Sequence, residues 1–295
     1  RGKTMVLTDI KAVSIFCVGL WLPVFAQADP IGNAIQDVPL FDAHMHYKEP
    51  AWEPYTVKTV IELMGKTGVA MALVSSTPDE GTIRLKEYAP DRIVAELRPY
   101  YGSAGSSNWT KSEGMLDYIK DRLETYSHAG IGEFHIHALD LTDEPLLREI
   151  ASLALARKIP LHIHSDAEPV EFLYSLAPDL TIIWAHAGMS EPPDVVERIM
   201  GQYPNTYIDT SYRERDILKP DGTINPAWQP VIDRFTDRIM IGTDTWVNSQ
   251  WDNYEGLIAL NRLWLKNLPR EQAEKIAYKN ALRLFDRKLP QIRKK

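Results

Sequence analysis

From Pro39 onward, eight short apolar segments alternate with longer amphipathic segments. Apolar runs of this length predict buried strands, and the amphipathic segments between them predict helices that cover the strands. Regular alternation of the two predicts a parallel sheet joined by right-handed crossovers. The predicted strands are Pro39–His46, Ala70–Ser76, Arg92–Arg98, Gly130–His137, Leu161–Ser165, Thr181–His186, Thr206–Thr210 and Arg238–Thr243.

The number of strand–helix pairs decides between the two common parallel architectures. Eight pairs close a barrel, whereas open doubly wound sheets usually have about five to seven strands. No Gly-x-Gly-x-x-Gly or Gly-Lys-Ser/Thr motif follows the first strand, so a nucleotide site has little support. We predict an α/β fold, a single (β/α)₈ TIM barrel with an extra C-terminal helix. The predicted helices are Thr56–Lys66, Gly81–Tyr88, Ser112–Tyr126, Glu144–Lys158, Val170–Ser175, Asp194–Tyr203, Ala227–Phe235, Tyr254–Asn267 and the extra Arg270–Phe285.

The N-terminal segment has a different character from the rest of the chain. Three cations, Arg1, Lys3 and Lys11, precede the apolar run Ala12–Ala26, and Ala26-Gln27-Ala28 is an A-x-A cleavage pattern. This order is typical of a secretory signal peptide, and the run is short for a bilayer span of ~20 residues. We predict a signal peptide over residues 1–28, a barrel domain over residues 29–295, and a periplasmic or secreted protein without stable membrane association.

Composition excludes several classes of function. The chain has 33 Lys and Arg against 40 Asp and Glu, a net charge of −7 and no long basic run, so we expect no nucleic-acid partner. Its one cysteine, Cys17, lies in the predicted signal peptide. The mature chain would therefore have no thiol nucleophile, disulfide or cysteine zinc site. We expect a small-molecule substrate and a possible homo-oligomer.

Histidines and one aspartate lie at the ends of predicted strands. His44 and His46 are two residues apart on the first strand, so their side chains share a face. His164, His186 and Asp244 end three other strands. In a barrel these ends converge on one mouth, and three histidines with an aspartate suit Zn²⁺ or a similar divalent ion. The sequence therefore predicts a metal centre.

Taken together, these strand-end motifs point to one family. The motifs are Phe41-Asp42-Ala43-His44-Met45-His46, His162-Ile163-His164, His186-Ala187-Gly188, Gly242-Thr243-Asp244 and the closing helix Ile276–Phe285. As a set they resemble the amidohydrolase superfamily, in particular the amidohydrolase-related branch of metal-dependent hydrolases and decarboxylases. The resemblance implies that His44, His46 and His164 are metal ligands and that Asp244 is a ligand and general base. It also implies that His186 is a further ligand or hydrogen-bonds a bound water or the substrate.

The fourth predicted strand leaves the number of metal ions open. Glu133, His135 and His137 follow at spacings of two, and the strand has no lysine, which excludes the carboxylated lysine of some family members. Glu133 could supply a metal-bridging carboxylate, but it lies four residues before the strand end. The alternative is a hydrogen-bonded position beneath the ligands. We expect one ion, with two as the alternative.

Residues after the strands indicate the kind of substrate. Aromatic and cationic residues in these loops suit a small aromatic or carboxylated ligand, although the aromatic side chains could instead pack the loops together. A Gly- and Ser-rich loop at residues 101–108 could act as a mobile lid. The candidate substrate-binding residues are Arg98, His137, Tyr212, Arg213 and Trp246, with Tyr47, Lys48, Tyr100, Tyr101, Asn248 and Trp251 as further candidates for the mouth.

Three classes of function remain open from the sequence. The first is hydrolysis of an amide, ester or lactone, with a metal-activated water, Asp244 as the general base and His186 as an oxyanion-stabilising group. The second is non-oxidative decarboxylation of a small carboxylic acid. The third is a non-catalytic exported binding protein. A Ser-His-Asp hydrolase is disfavoured because no Gly-x-Ser-x-Gly motif is present.

Overall fold

A computed structural model of the chain describes residues 35–290, and eight parallel strands lie within this range. Their residues are buried almost throughout, as expected of parallel strands covered on both faces. The predicted signal peptide lies outside the described residues and stays a prediction. The strands are β1 Leu40–His46, β2 Val69–Ser75, β3 Ile93–Ala95, β4 Ile131–Ile136, β5 Leu161–Ser165, β6 Ile182–Trp184, β7 Thr206–Asp209 and β8 Ile239–Met240.

The strands form two parallel ladders, β1–β2–β3 and β4–β5–β6–β7–β8. Backbone hydrogen bonds join the ladders at both edges. Between β3 and β4, Leu97 N donates to Gly130 O at 3.0 Å and Gly132 N donates to Leu97 O at 2.8 Å. Between β8 and β1, Ala43 N donates to Ile241 O at 2.9 Å. Each strand therefore has a neighbour on both sides, and the predicted (β/α)₈ barrel is confirmed.

A helix follows in each of the predicted places, with ends within three residues of the expected ones. Two further short helices, Glu214–Ile217 and Asn248–Asp252, lie where the sequence predicted none. The helices are α1 Val57–Thr67, α2 Glu80–Tyr88, α3 Met115–Thr125, α4 Glu144–Arg157, α5 Ala167–Leu176, α6 Pro193–Gln202, α7 Glu214–Ile217, α8 Gln229–Phe235, α9 Asn248–Asp252, α10 Tyr254–Leu265, α11 Arg270–Glu274 and α12 Asn280–Leu284.

The predicted C-terminal helix is continuous, because a π-helical segment, Lys275–Lys279, joins α11 to α12. Asn280 fixes this helix to the barrel, since its side-chain amide donates to Thr236 O and Ile239 O at 2.7 and 2.8 Å. A second buried cluster includes Ala281 of α12 and residues of β1, β2, β3, β6 and β8. The extra helix therefore packs against the strands as an integral part of the barrel.

The main core lies between the strands and the surrounding helices, where aliphatic side chains of both are buried together with several tryptophans. This apolar packing holds the carboxyl ends of the strands in place, and these ends carry the polar residues described next. No helix within residues 35–290 is long and apolar enough to span a membrane.

Candidate metal centre

His44 and His46 lie at the carboxyl end of β1 with their Nε2 atoms 3.2 Å apart. Each ring is oriented through its other nitrogen. His44 Nδ1 lies 3.2 Å from Asp209 Oδ2, and His46 Nδ1 lies 3.1 Å from Ser75 O and 3.0 Å from Ser75 Oγ. Such outer hydrogen bonds fix the ring orientation of metal-binding histidines. Both Nε2 atoms are thereby left facing the same point.

Glu133 reaches this point because β4 is irregular. The register of β4 against β5 shifts between Ile131 and Phe134. Gly132 occupies a backbone conformation with φ of 149°, and a Cβ there would lie 2.2 Å from His162 O. Only glycine fits such a position. The absence of a side chain at Gly132 therefore lets the strand approach β5 and places the Glu133 side chain inside the barrel.

The Glu133 carboxylate lies between two pairs of histidines. Its Oε2 atom is 3.3 Å from His46 Nε2 and 3.7 Å from His44 Nε2. Its Oε1 atom is 2.8 Å from His164 Nδ1 and 3.4 Å from His186 Nε2. Of the two roles considered for Glu133, the structure therefore places it among the donor atoms and not beneath them.

Asp244 follows β8 in a left-handed conformation with φ of 48°. Its backbone N donates to His44 O at 2.7 Å, which ties the segment to β1. Its Oδ1 atom is 3.1 Å from His46 Nε2 and 3.5 Å from His44 Nε2, and its Oδ2 atom is 3.8 Å from His186 Nε2. Asp244 therefore brings a carboxylate from the end of β8 to the same group of polar atoms.

The spacing of these atoms fits a divalent metal ion. Ligand atoms about 2.0–2.1 Å from a tetrahedral ion lie roughly 3.3–3.4 Å from one another. The atoms of His44, His46, Glu133 and Asp244 are 3.1–3.7 Å apart where they face each other. We call the whole group the donor cluster: His44, His46, Glu133, His164, His186 and Asp244.

The donor cluster also has the electrostatics of a cation site. Within residues 35–290, two of its buried atoms, His186 Nε2 and Asp244 Oδ1, have no hydrogen-bond partner, and buried polar atoms rarely stay unpaired without a reason. Burial lowers the pKa of His44, but Asp209, Asp244 and Glu133 raise it well above its usual range. Burial raises the pKa of Asp244, and His44 and His46 lower it to about 2. The carboxylates are therefore ionised and favour positive charge at this point.

His164 does not meet His44 and His46 in the way the sequence suggested. The sets of metal-competent atoms that are close to one another place His44 and His46 with Glu133, and His164 with Glu133 and His135. The possible ligands therefore converge on two adjoining positions that share Glu133, and not on the single position that the sequence suggested. His186 lies beside both, its ring centroid 4.9 Å from that of His44 and 4.8 Å from that of His164.

A second group of buried polar residues lies behind the donor cluster. Asp209 Oδ2 is 3.2 Å from His44 Nδ1, from His162 Nε2 and from the backbone N of His186. Its Oδ1 accepts hydrogen bonds from the N and Oγ of Ser211. We call this group the support layer, which comprises Glu96, His162, Asp209 and Ser211.

The support layer was not recognised from the sequence. Asp209 ends β7, so it is a carboxylate at a strand end in the same way as Asp244 and could have been singled out on that ground. Ser211 Oγ lies 2.9 Å from His186 Nδ1, and Glu96 Oε2 lies 3.1 Å from His162 Nδ1. Nothing local in the sequence distinguishes these partners, because they come together only through the barrel.

A cavity of about 630 Å³ opens over the donor cluster. Such a volume is typical of a small-molecule site. Glu133, His164 and Asp244 contribute to its floor, while the predicted lid loop contributes Ala104, Gly105 and Ser106. Its remaining lining residues are Lys48, Thr77, Arg98, Tyr100, His135, Met189, Tyr212 and Trp246.

The five candidate substrate-binding residues fall into two groups. Arg98, Tyr212 and Trp246 line the cavity. His137 lies in a small neighbouring hollow under the loop. Arg213 supports the turn that carries His186, since its Nη1 donates to His186 O and Ala187 O at 3.4 and 3.1 Å. The structure therefore places His137 and Arg213 outside the cavity wall.

Arg98 is committed to the donor cluster. Its Nη2 donates to Glu133 Oε2 at 2.9 Å and its Nε donates to Glu133 O at 3.1 Å. Arg98 is 5% exposed, so this ion pair is shielded from water. The guanidinium therefore holds the Glu133 carboxylate in place, a role that the loop position of Arg98 did not suggest.

Comparison with known proteins agrees with this geometry. A protein-family model described as "Amidohydrolase" matches residues 41–287. No curated protein matches the sequence.

Similar folds occur among solved structures of low sequence identity. A TatD homologue from Escherichia coli is 17% identical, with a TM-score of 0.61 over 85% of this chain and 99% of its own. A phosphotriesterase homology protein from Escherichia coli is 13% identical, with a TM-score of 0.60 over 85% and 99%. A dihydroorotase from Campylobacter jejuni is 14% identical, with a TM-score of 0.52 over 85% and 84%. At these identities the likeness concerns the fold.

Proposed function

The chain belongs to the amidohydrolase family, as its motifs suggested, and we propose that it is a metal-dependent hydrolase of a small molecule. Its substrate would contain an amide, ester or lactone bond. The observation that carries this proposal is the donor cluster at the floor of the cavity, where His186 Nε2 and Asp244 Oδ1 are buried with no hydrogen-bond partner among the described residues. A cavity with converging polar groups at its floor is the usual form of a small-molecule active site.

We propose two metal positions that share Glu133. The spacing of the atoms around Oε2 suits one ion, and His164 and His186 beside Oε1 offer ligands for a second. Imidazole and carboxylate ligands suit Zn²⁺ well, so Zn²⁺ is the proposed metal. The first position would be held by His44, His46, Glu133 and Asp244, and the second by Glu133, His164 and His186.

The bound metal would supply a nucleophilic water at neutral pH and polarise the scissile carbonyl group. Asp244 would accept the proton of the attacking water, a role supported by its ionised state and its position in the cavity wall. The same side chain can return that proton to the leaving group. Arg98 keeps the Glu133 carboxylate in position, and Asp209 orients His44 from behind.

Metal analysis joined to a substrate panel tests this proposal. The purified protein, loaded with Zn²⁺, should bind divalent metal and hydrolyse at least one member of a panel of simple esters, lactones and amides. The double variant His44→Ala/His46→Ala should lose the ion of the first position and, with it, turnover. The matched variant His137→Ala, which removes an exposed histidine outside the donor cluster, should retain its metal.

Two results would overturn the proposal. Full metal occupancy in the double variant would place the metal elsewhere. Small carboxylic acids are assayed beside the panel, and release of carbon dioxide from one of them, without hydrolysis of any ester, lactone or amide, would assign the site to decarboxylation.

A further inference from the structure

Lys48 is a cation at the rim of the cavity that forms no ion pair or hydrogen bond with the described part of the chain. It follows β1 directly, is half-buried and lines the cavity together with Asp244. Within residues 35–290, no carboxylate oxygen lies within 4 Å of its Nζ atom and no hydrogen-bond acceptor contacts it. Removing a charge from water without pairing it is unfavourable, so such a position calls for a partner from outside the chain.

The other cations near the mouth are already engaged. Arg98 donates to the carboxylate and the backbone carbonyl of Glu133. Arg213 donates to backbone carbonyls of the His186 turn and to Asp216. Among the described residues that line the cavity, Lys48 therefore provides the cation that remains available to a ligand.

Two large aromatic side chains lie beside Lys48. The Nζ atom is 5.8 Å from the ring centroid of Trp246. Trp246 Nε1 donates to Tyr212 Oη at 2.9 Å, so the two rings are held together. Their exposed fractions are 47% and 46%, which is high for residues of this size. Exposed aromatic surface at a cavity mouth is typical of a surface that a ligand covers.

We infer that the substrate carries an oxyanion, a carboxylate or a phosphate, that Lys48 binds at the rim while a flat or apolar part of the substrate packs on Trp246 and Tyr212. The bond to be hydrolysed would then lie over the donor cluster. This inference rests on the proposed hydrolase function for its reaction, but the contact between Lys48 and the anion can be measured by itself.

Matched esters test the inference by kinetics. Mono-4-nitrophenyl glutarate has a free carboxylate, and its methyl ester is the neutral counterpart. The wild-type protein should prefer the charged ester in kcat/KM by roughly tenfold to a hundredfold, the range of a hydrogen bond to a charged group. Lys48→Met should lose this preference, whereas Lys48→Arg and the control Lys58→Met, at an exposed lysine outside the cavity, should keep it. An unchanged preference in Lys48→Met would overturn the inference.

Binding measurements separate this inference from the proposed function. Glutarate and monomethyl glutarate, titrated calorimetrically into the Zn²⁺-loaded protein, differ by one carboxylate. The wild-type protein should bind glutarate more tightly, and Lys48→Met should reduce that advantage by the same factor as in the kinetics. Lys48-dependent binding without any ester hydrolysis would contradict the proposed function alone. Hydrolysis with a charge preference that does not depend on Lys48 would contradict this inference alone.

A phosphate arm identifies the preferred oxyanion. Propyl phosphate and butyrate are compared as competitors of glutarate binding in wild-type protein and in Lys48→Met. Competition that weakens in Lys48→Met supports the inference and identifies the better-bound anion as the substrate's charged group. Equal competition in both proteins for both anions would show that they bind at the metal only, which contradicts a role for Lys48.

Discussion

The donor cluster and the support layer are both built from buried histidines and carboxylates, yet their polar atoms are used differently. His44 contacts both groups, each through a different ring nitrogen. Its Nδ1 atom lies 3.2 Å from Asp209 Oδ2, whose other oxygen is also hydrogen-bonded. Its Nε2 atom lies 3.5 Å from Asp244 Oδ1, which has no hydrogen-bond partner within residues 35–290. Glu96 Oε1 of the support layer is also unpaired, so the donor cluster is distinguished by the number of possible ligand atoms that converge on one place.

The carboxylates of the support layer are paired with His162 and, from the donor cluster, with His44. Burial lowers the pKa of His162, but the adjacent Glu96 and the hydrogen bond to Asp209 raise it to about 9. Burial raises the pKa of Asp209, and His44 and His162 bring it well below its usual range. The two groups are thus a buried ion pair. His44, His186 and Asp209 also lie close enough to hold a metal, but the Asp209 oxygens are already occupied.

The strongest loss of metal and turnover is expected from a Glu→Gln substitution in the donor cluster, compared with the same substitution in the support layer. Glu133→Gln removes the charge shared by both metal positions, so we expect loss of at least one bound ion. We also expect a fall in turnover of roughly 10³-fold or more, since metal polarisation is worth several kcal/mol. Glu96→Gln, the matched change in the support layer, should leave the number of bound ions unchanged. Elemental analysis of both variants, confirmed as folded by circular dichroism, checks this.

A different order of these variants would break the comparison. If Glu96→Gln lost metal and Glu133→Gln did not, the support layer would be the metal site. Because Glu133 also neutralises the buried Arg98, Glu133→Gln should in addition lower the free energy of unfolding by about 3–5 kcal/mol.

Asp244→Asn separates metal binding from proton transfer. The variant keeps one oxygen facing the histidines but loses the basicity of the carboxylate. We expect metal to remain largely bound and turnover to fall by roughly 10²–10⁴-fold, the usual contribution of a general base. Turnover is measured at saturating Zn²⁺ with metal content determined in parallel. Near-normal turnover in the metal-saturated variant would place the base elsewhere, with His186 and Glu133 as the next candidates.

Asp209→Asn tests the support layer, and we expect it to weaken metal binding and activity less than the changes in the donor cluster do. Asp209 orients His44 and contacts the backbone of His186 without facing the cavity. Changes at such outer partners typically weaken metal affinity or activity by about 10–100-fold. Metal titration should therefore show weaker binding, with the full number of ions regained at excess metal. A permanent loss of an ion at saturating metal would show that Asp209 is itself a ligand.

Glu214 is a buried carboxyl group outside both the donor cluster and the support layer. It accepts a hydrogen bond from Asn261 and not from a histidine. Burial raises its pKa to about 7. Between about pH 4.5 and pH 7 the folded protein then holds a proton that the unfolded chain has released, so stability falls as the pH rises through this window. The free energy of unfolding should therefore decrease between pH 5 and pH 8 by on the order of 2 kcal/mol less in Glu214→Gln than in the wild-type protein.

Urea denaturation at pH 5 and pH 8, with a chelator present so that metal loss does not contribute, checks this expectation. A pH dependence that is the same in wild-type protein and in Glu214→Gln would show that Glu214 ionises normally. The activity of the metal-loaded variant at pH 5 should remain close to that of the wild-type protein.

The strand positions and most of the donor cluster could be predicted because both depend on local pattern. Buried apolar runs specified all eight strands, and His44, His46, His186 and Asp244 lie where the strand ends converge. Family resemblance then added a reason to group these residues. Helices α7 and α9 were missed, since each has only four or five residues and no apolar period to reveal it.

The role of Glu133 could not be predicted from its position in the chain. Counting from the strand end put it below the mouth, because the count assumes a regular strand. Gly132 and the register shift of β4 change that geometry. The pairing of Arg98 with Glu133 and the contacts of Arg213 join residues far apart in the sequence. Only the closed barrel brings them together, so no local sequence pattern indicates these contacts.

Anomalous X-ray diffraction at the zinc absorption edge, from crystals of the Zn²⁺-loaded protein, tests the central claim most directly. It locates bound zinc independently of any substrate. We predict a strong anomalous peak between His44, His46, Glu133 and Asp244, and a second beside Glu133, His164 and His186. A peak between His44, His186 and Asp209, or no peak within the donor cluster, would contradict it.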